Sequence, residues 1–144
     1  MNEESIKVLV KAGILRPRQP DIEKIKSIVS FAGINAEIAK QVALNEKSAT
    51  LIFREIYESI RQLGDAKWWL LGYEPGNHEI SLDILKDFDI KDKVKFNFLD
   101  RFKSIRHDAN YRGFIVKVSQ AEEIIDFWDR CGKEVKEKLE REVK

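Results

Sequence analysis

Apolar residues return every three or four positions along most of the chain. From Asp21 onward, Ile22, Ile25, Val29, Ala32, Ala36, Ala39 and Ala43 keep that period, which places them on one buried face of a helix. The small alanines let a neighbouring helix approach closely. A second long helix is predicted over about residues 47–72. Phe53, Ile56, Ile60, Leu63 and Leu70 form its stripe, with Tyr57, Gly64, Trp68 and Leu71 beside it. An apolar surface that wide implies burial on more than one side.

Shorter pieces surround these two. EESIKVLVKAG predicts a first amphipathic helix ending at Gly13, and the prolines of ILRPRQP make an extended linker. Asn45 and Ser48 are N-cap candidates in LNEKSAT. GYEPGNH breaks the second long helix, and HEISLDILKDF begins a shorter one. Residues 92–109 predict a helix that buries Val94, Phe98, Phe102, Ile105 and Ala109. NYRGFIVKV then crosses irregularly, with Gly113 as the stop. The last helix is expected to start at SQAE, where Ser119 and Glu122 have capping-box spacing. It would bury Ala121, Ile124, Ile125, Trp128, Val135 and Leu139.

The expectation is an all-α chain, residues 1–144 forming a single domain. Residues 1–19 make a short helix and linker, and 20–144 an antiparallel up-and-down bundle of four long helices with one or two short extra ones. Trp69, adjacent to Trp68, exceeds what one side of a helix can bury and is a candidate for an interface.

Charge and composition narrow the function classes. The 26 basic and 25 acidic side chains nearly cancel, which disfavours binding of a phosphate backbone by the whole surface but leaves room for a local basic patch. Cys131 is the one cysteine, so there is no internal disulfide and no cysteine metal site, and a cytoplasmic location is expected. No apolar run is long enough for a membrane span. His78 and His107, the two histidines, lack the glutamate spacing of a di-iron bundle, and no Gly-rich nucleotide loop is present. No metal and no cofactor are expected.

Candidate chemistry gathers in two stretches. In FREIYESIR, Arg54 and Glu58 lie four apart and Glu58 and Arg61 three apart. They are either a solvent-facing ion-pair ladder or polar groups held in a crowded helix for a purpose. RFKSIRHDANYRG, residues 101–113, is denser. There Arg106 shares a face with Asn110, and His107 with Tyr111. An arginine can grip a phosphate with two prongs and a histidine titrates near neutrality, the two parts needed for metal-free phosphodiester cleavage. The competing reading has the basic side chains favouring the negative end of a helix dipole, with His107 merely exposed.

In order, FREIYESIRQLGDA, GYEPGNHEISLDIL, RFKSIRHDANYRG and SQAEEIIDFWDRCGKEV resemble the HEPN domain (higher eukaryotes and prokaryotes nucleotide-binding) of archaeal and bacterial type, over about residues 20–140. The resemblance implies a four-to-five-helix bundle, a homodimer, and metal-independent ribonuclease activity. Many members are the toxin of a toxin–antitoxin pair with a minimal nucleotidyltransferase partner. Such sites resemble an arginine followed by a polar residue, with a histidine after four to six intervening positions, doubled across a dimer cleft. Two registers fit. Arg101 with His107 has the spacing, but the apolar Phe102 follows the arginine. Arg106 followed by His107 has the polar neighbour, but Tyr111 stands at the family histidine's place. The second register makes Arg106, His107 and Tyr111 the catalytic candidates. Arg101, Asp108, Asn110, Arg112, Arg54 and Glu58 become candidate substrate-binding residues. It also leaves an alternative: an inactive module that binds a nucleotide, RNA or a nucleotidyltransferase-like partner.

Overall fold

In the computed structural model, which describes all 144 residues, the chain is mostly helical with two short strands. α1 (Glu3–Lys11) is capped by Asn2, whose Oδ1 accepts from Ser5 N–H at 2.9 Å, and α2 (Ile22–Gln41) by Asp21, which accepts from Lys24 N–H at 3.1 Å. Asn45 and Ser48 both serve the next turn. Asn45 Oδ1 accepts from Lys47 and Ser48 N–H, and the Ser48 hydroxyl donates to the Ala43 carbonyl at 2.5 Å. This turn ends the apolar stripe before Ala43, which is exposed. It leads into α3 (Ala49–Leu70).

α3 is the central helix. It packs against α2, α4 (His78–Leu85), α5 (Leu99–Tyr111), α6 (Val118–Phe127) and α7 (Lys133–Glu142), and buries Ile52, Phe53, Ile56, Ile60 and Leu63. α2 runs back along it: Lys24, at the start of α2, sets its ammonium 3.7 Å above the ring of Trp69, near the end of α3. The alanines of α2 allow that close approach, for Ala32 and Ala36 are wholly buried. Trp69 is half-buried against the core and lidded by a lysine.

Three expectations are corrected. The linker and the helix break pair with each other: β1 (Leu15–Pro17) lies antiparallel to β2 (Tyr73–Pro75), with Arg16 opposite Glu74. A two-stranded ribbon tolerates prolines because each strand is an edge. Leu15 is driven there by burial, joining Trp68, Ile80 and Ile84 in a small second core. Next, residues 92–109 are not one regular helix. A 3₁₀ segment, Lys93–Phe98, precedes α5, which leaves Val94 80% exposed while Phe96 is buried instead. Finally, α6 starts before Ser119: Gln120 Oε1 accepts from Lys117 N–H at 3.0 Å, so the cap lies two residues upstream of the expected one.

The last helix predicted as one piece is a continuous rod interrupted by a π-turn at Trp128–Gly132 between α6 and α7. Trp128 is buried, its Nε1–H donates to Glu37 on α2 at 2.9 Å, and any Cβ at position 132 would collide with its ring. No helix is long and apolar enough to cross a membrane.

Candidate functional site

α3, α4 and α5 meet around a chain of polar groups. Gly64 makes the meeting possible, because a Cβ there would overlap the carbonyl oxygen of Ser81 on α4. At this crossing the Ser81 hydroxyl donates to Asp65. Asp65 in turn accepts from Arg61 Nη1 at 2.6 Å. Arg61 grips Glu58 with two prongs, Nε to Oε2 at 3.1 Å and Nη2 to Oε1 at 2.5 Å. Arg61 is thus saturated by two carboxylates. Glu58, expected to share a face with Arg54, takes Arg61 as its partner, and Arg54 projects into solvent without an ion pair. The Arg61 hydrogen bond holds the Glu58 carboxyl below its usual range, against the opposing effect of burial.

Arg106 enters this cluster from α5. Its guanidinium lies 5.7 Å from the centre of the Tyr57 ring, and it is half-buried with no carboxylate partner. The contrast with its neighbours is plain. Arg101 pairs with Glu123 on α6 and lies 5.0 Å over Phe98, so it joins α5 to α6. Arg112 is exposed beside Asp108, whose carbonyl accepts the N–H groups of Arg112 and Phe114 as the helix ends. Gly113 then turns the chain with φ +70°. The Asp108 backbone and Arg112 therefore belong to the helix stop.

His107 sits about 100° around the helix axis from Arg106. Its ring packs on Tyr111 at 4.9 Å between centres, and both are exposed, Tyr111 by 70%. The structure therefore separates the expected trio: Arg106 faces the core cluster, and His107 with Tyr111 faces outward. Asn110, one turn beyond Arg106 on its side of α5, has a buried Oδ1 with no donor.

A group that sequence reasoning set aside comes to this place. His78, the first residue of α4, is exposed and lies within electrostatic reach of Arg61, Glu58, Arg106 and Asp65. Partial desolvation, reinforced by the two arginines and opposed by Glu58 and Asp65, lowers its pKa. In sequence, 28 positions separate it from Arg106. The signal that could have found it is the Asn77 cap, whose Oδ1 accepts from Ile80 N–H at 3.1 Å and fixes which residues open α4. Lys103 on α5 bonds Glu79 at 3.1 Å, which ties the two elements together here.

A concavity of about 550 Å³ lies between α2 and the rod of α6 and α7. Gly33, Ile34, Ile38, Trp128 and Lys133 line it, and the α2 face beside it exposes Phe31, Ile34, Ile38 and Val42. Its charges neutralise one another: Lys40 bonds Asp129 at 2.6 Å and Lys133 bonds Asp129 at 3.2 Å. Cys131, buried nearby, has its thiol pushed up to about 11 by burial, which leaves it without nucleophilic character. No cluster of three or more metal-ligating side chains is present.

No family model, curated protein or solved structure matches the chain.

Proposed function

We propose that the chain is a HEPN-type protein that binds the phosphate backbone of RNA at Arg106 and cleaves it without metal, within a toxin–antitoxin or defence system. The observation that carries this reading is the state of Arg106. A half-buried guanidinium normally takes a carboxylate partner, as Arg61 does twice over. Arg106 takes none, so its fork is free for an oxyanion. Cleavage would run by attack of the ribose 2′-hydroxyl on the adjacent phosphorus, with Arg106 neutralising the charge that develops on the phosphoryl oxygens.

Pairing of two chains belongs to the same reading. Tyr111, Phe114, Ile115 and Leu51 are exposed apolar or aromatic side chains around the end of α5. Two such patches placed face to face would join two chains through the ends of their α5 helices.

A second reading is favoured by a specific observation. Because His107 and Tyr111 stack on each other away from Arg106, the expected base and the expected clamp do not converge. On that reading the module binds RNA, a nucleotide or a nucleotidyltransferase-like protein and leaves the phosphodiester intact. The test is incubation with a labelled single-stranded RNA in EDTA, for the wild type, Arg106→Ala and Arg54→Ala. Metal-free cleavage lost in Arg106→Ala and kept in Arg54→Ala supports the nuclease. Tight binding without cleavage, weakened in Arg106→Ala, supports the binding module. Equal behaviour of all three proteins in both assays rejects the assignment of the site to Arg106.

A further inference from the structure

We propose that His78, and not His107, is the catalytic acid–base residue of the Arg106 site; the inference rests on the nuclease reading above. A base must reach the hydroxyl whose phosphate the arginine holds, so base and clamp have to face one space. Arg106 leaves α5 on the side of α3 and α4, over Tyr57. His107 leaves the helix elsewhere and spends its ring on Tyr111. His78 opens α4 where that helix crosses α3. Its helix neighbours Glu79 and Ser81 bond Lys103 of α5 and Asp65 of α3, and the exposed His78 lies within electrostatic reach of Arg61, Glu58, Asp65 and Arg106. The Lys103–Glu79 bond and the Ser81–Asp65 bond fix this end of α4 against both neighbours, so the imidazole is held on a rigid element.

Its electrostatic surroundings suit the task. Partial desolvation and two guanidiniums lower its pKa, which favours the neutral imidazole able to accept a proton, while Glu58 and Asp65 favour the imidazolium once formed. The 2′-oxygen forms a bond to phosphorus as the phosphorus–O5′ bond breaks. The 2′-hydroxyl proton passes to His78, and the departing 5′-oxygen takes a proton from water. The products are a 2′,3′-cyclic phosphate and a 5′-hydroxyl.

Two measurements on the full chain decide it. In the first, cleavage of a single-stranded RNA in EDTA is followed from pH 5 to 9 for the wild type, His78→Gln, His107→Gln and Arg106→Ala. His78→Gln is expected to slow cleavage by about 10²-fold or more and to abolish the acidic limb of the profile, which His107→Gln retains. In the second, the two imidazoles are titrated by NMR with and without inorganic phosphate, which needs no turnover. Phosphate should raise the His78 midpoint and leave that of His107 in place, and Arg106→Ala should cancel the shift. A phosphate response at His107 instead, cancelled by Arg106→Ala, overturns the role of His78 while the Arg106 site stands. No response at either histidine, together with cleavage indifferent to Arg106→Ala, removes the site itself and this inference with it.

Discussion

The guanidinium of Arg106 lies 5.7 Å above the Tyr57 ring and has no carboxylate to answer it. A cation over an aromatic face at a partly exposed site gains about 0.5–1 kcal/mol, much less than a saturated ion pair in the same place would hold. Arg106→Ala is therefore expected to lower stability by under about 1 kcal/mol in urea melts. RNA binding or cleavage should fall by 10-fold or more in the same variant. Arg106→Lys should restore the charge without the two-pronged grip and recover only part of the loss. A large stability loss in Arg106→Ala would make the residue a packing element.

Glu58 gives the fold an acid-sensitive limb. Its carboxyl is held below the usual range by Arg61, so the contribution of the pair is fully present above the unfolded value of about 4.3. That contribution is lost as pH falls through the lower folded value. Glu58→Gln should flatten the decline of stability below about pH 4.3 and leave the neutral-to-alkaline side of the profile unchanged in shape. Chemical denaturation at a series of pH values measures it.

Gly64→Ala is expected to be among the most damaging conservative changes in the chain. A methyl group there meets the Ser81 backbone, not a flexible side chain, so α4 has to move away from α3. Overpacking of this kind costs about 1–3 kcal/mol. The shift of α4 would also loosen the Ser81–Asp65 bond and displace His78. Gly113→Ala, at a position with open space but φ +70°, should cost less and leave the α3–α4 crossing intact. Urea midpoints and the NMR titration of His78 separate the two effects.

Cys131 should be inert to thiol reagents in the folded protein. Burial raises its thiol to about 11, and the residue has no exposed surface. At pH 8, labelling by a disulfide reagent should follow global unfolding and accelerate in urea in step with the loss of helical signal. Rapid labelling of the native protein would contradict the packing around the π-turn.

The helical framework was legible because it is periodic and locally capped. Asp21, Asn45, Ser48, Gly13 and Gly113 all act where their side-chain and backbone chemistry places them. What could not be read is non-local. The β1–β2 ribbon joins two three-residue stretches that each contain a proline and lie some 58 positions apart, and neither has a strand pattern of its own. The 3₁₀ entry to α5 rotates the apolar register, so Val94 and Phe96 exchange roles. At the candidate site, Arg106 could be singled out from its type and spacing. That it parts company with His107 follows from the turn of one helix against two others. The approach of His78 depends on the Gly64 crossing, which appears in the chain only as a lone glycine in a helix.

The short ribbon gives the first segment of the chain a duty beyond covering Trp68. β2 leads directly, through Gly76 and Asn77, into the first turn of α4, and Gly76 N–H is anchored on the Ile14 carbonyl at 2.7 Å. The opening twenty residues thus act as a clasp on the loop that delivers His78. Trimming them in search of a minimal bundle would spare every helix of the main core, yet it would slacken the mounting of the histidine. A shortened protein that folds well and has lost its pH response would be the mark of that clasp.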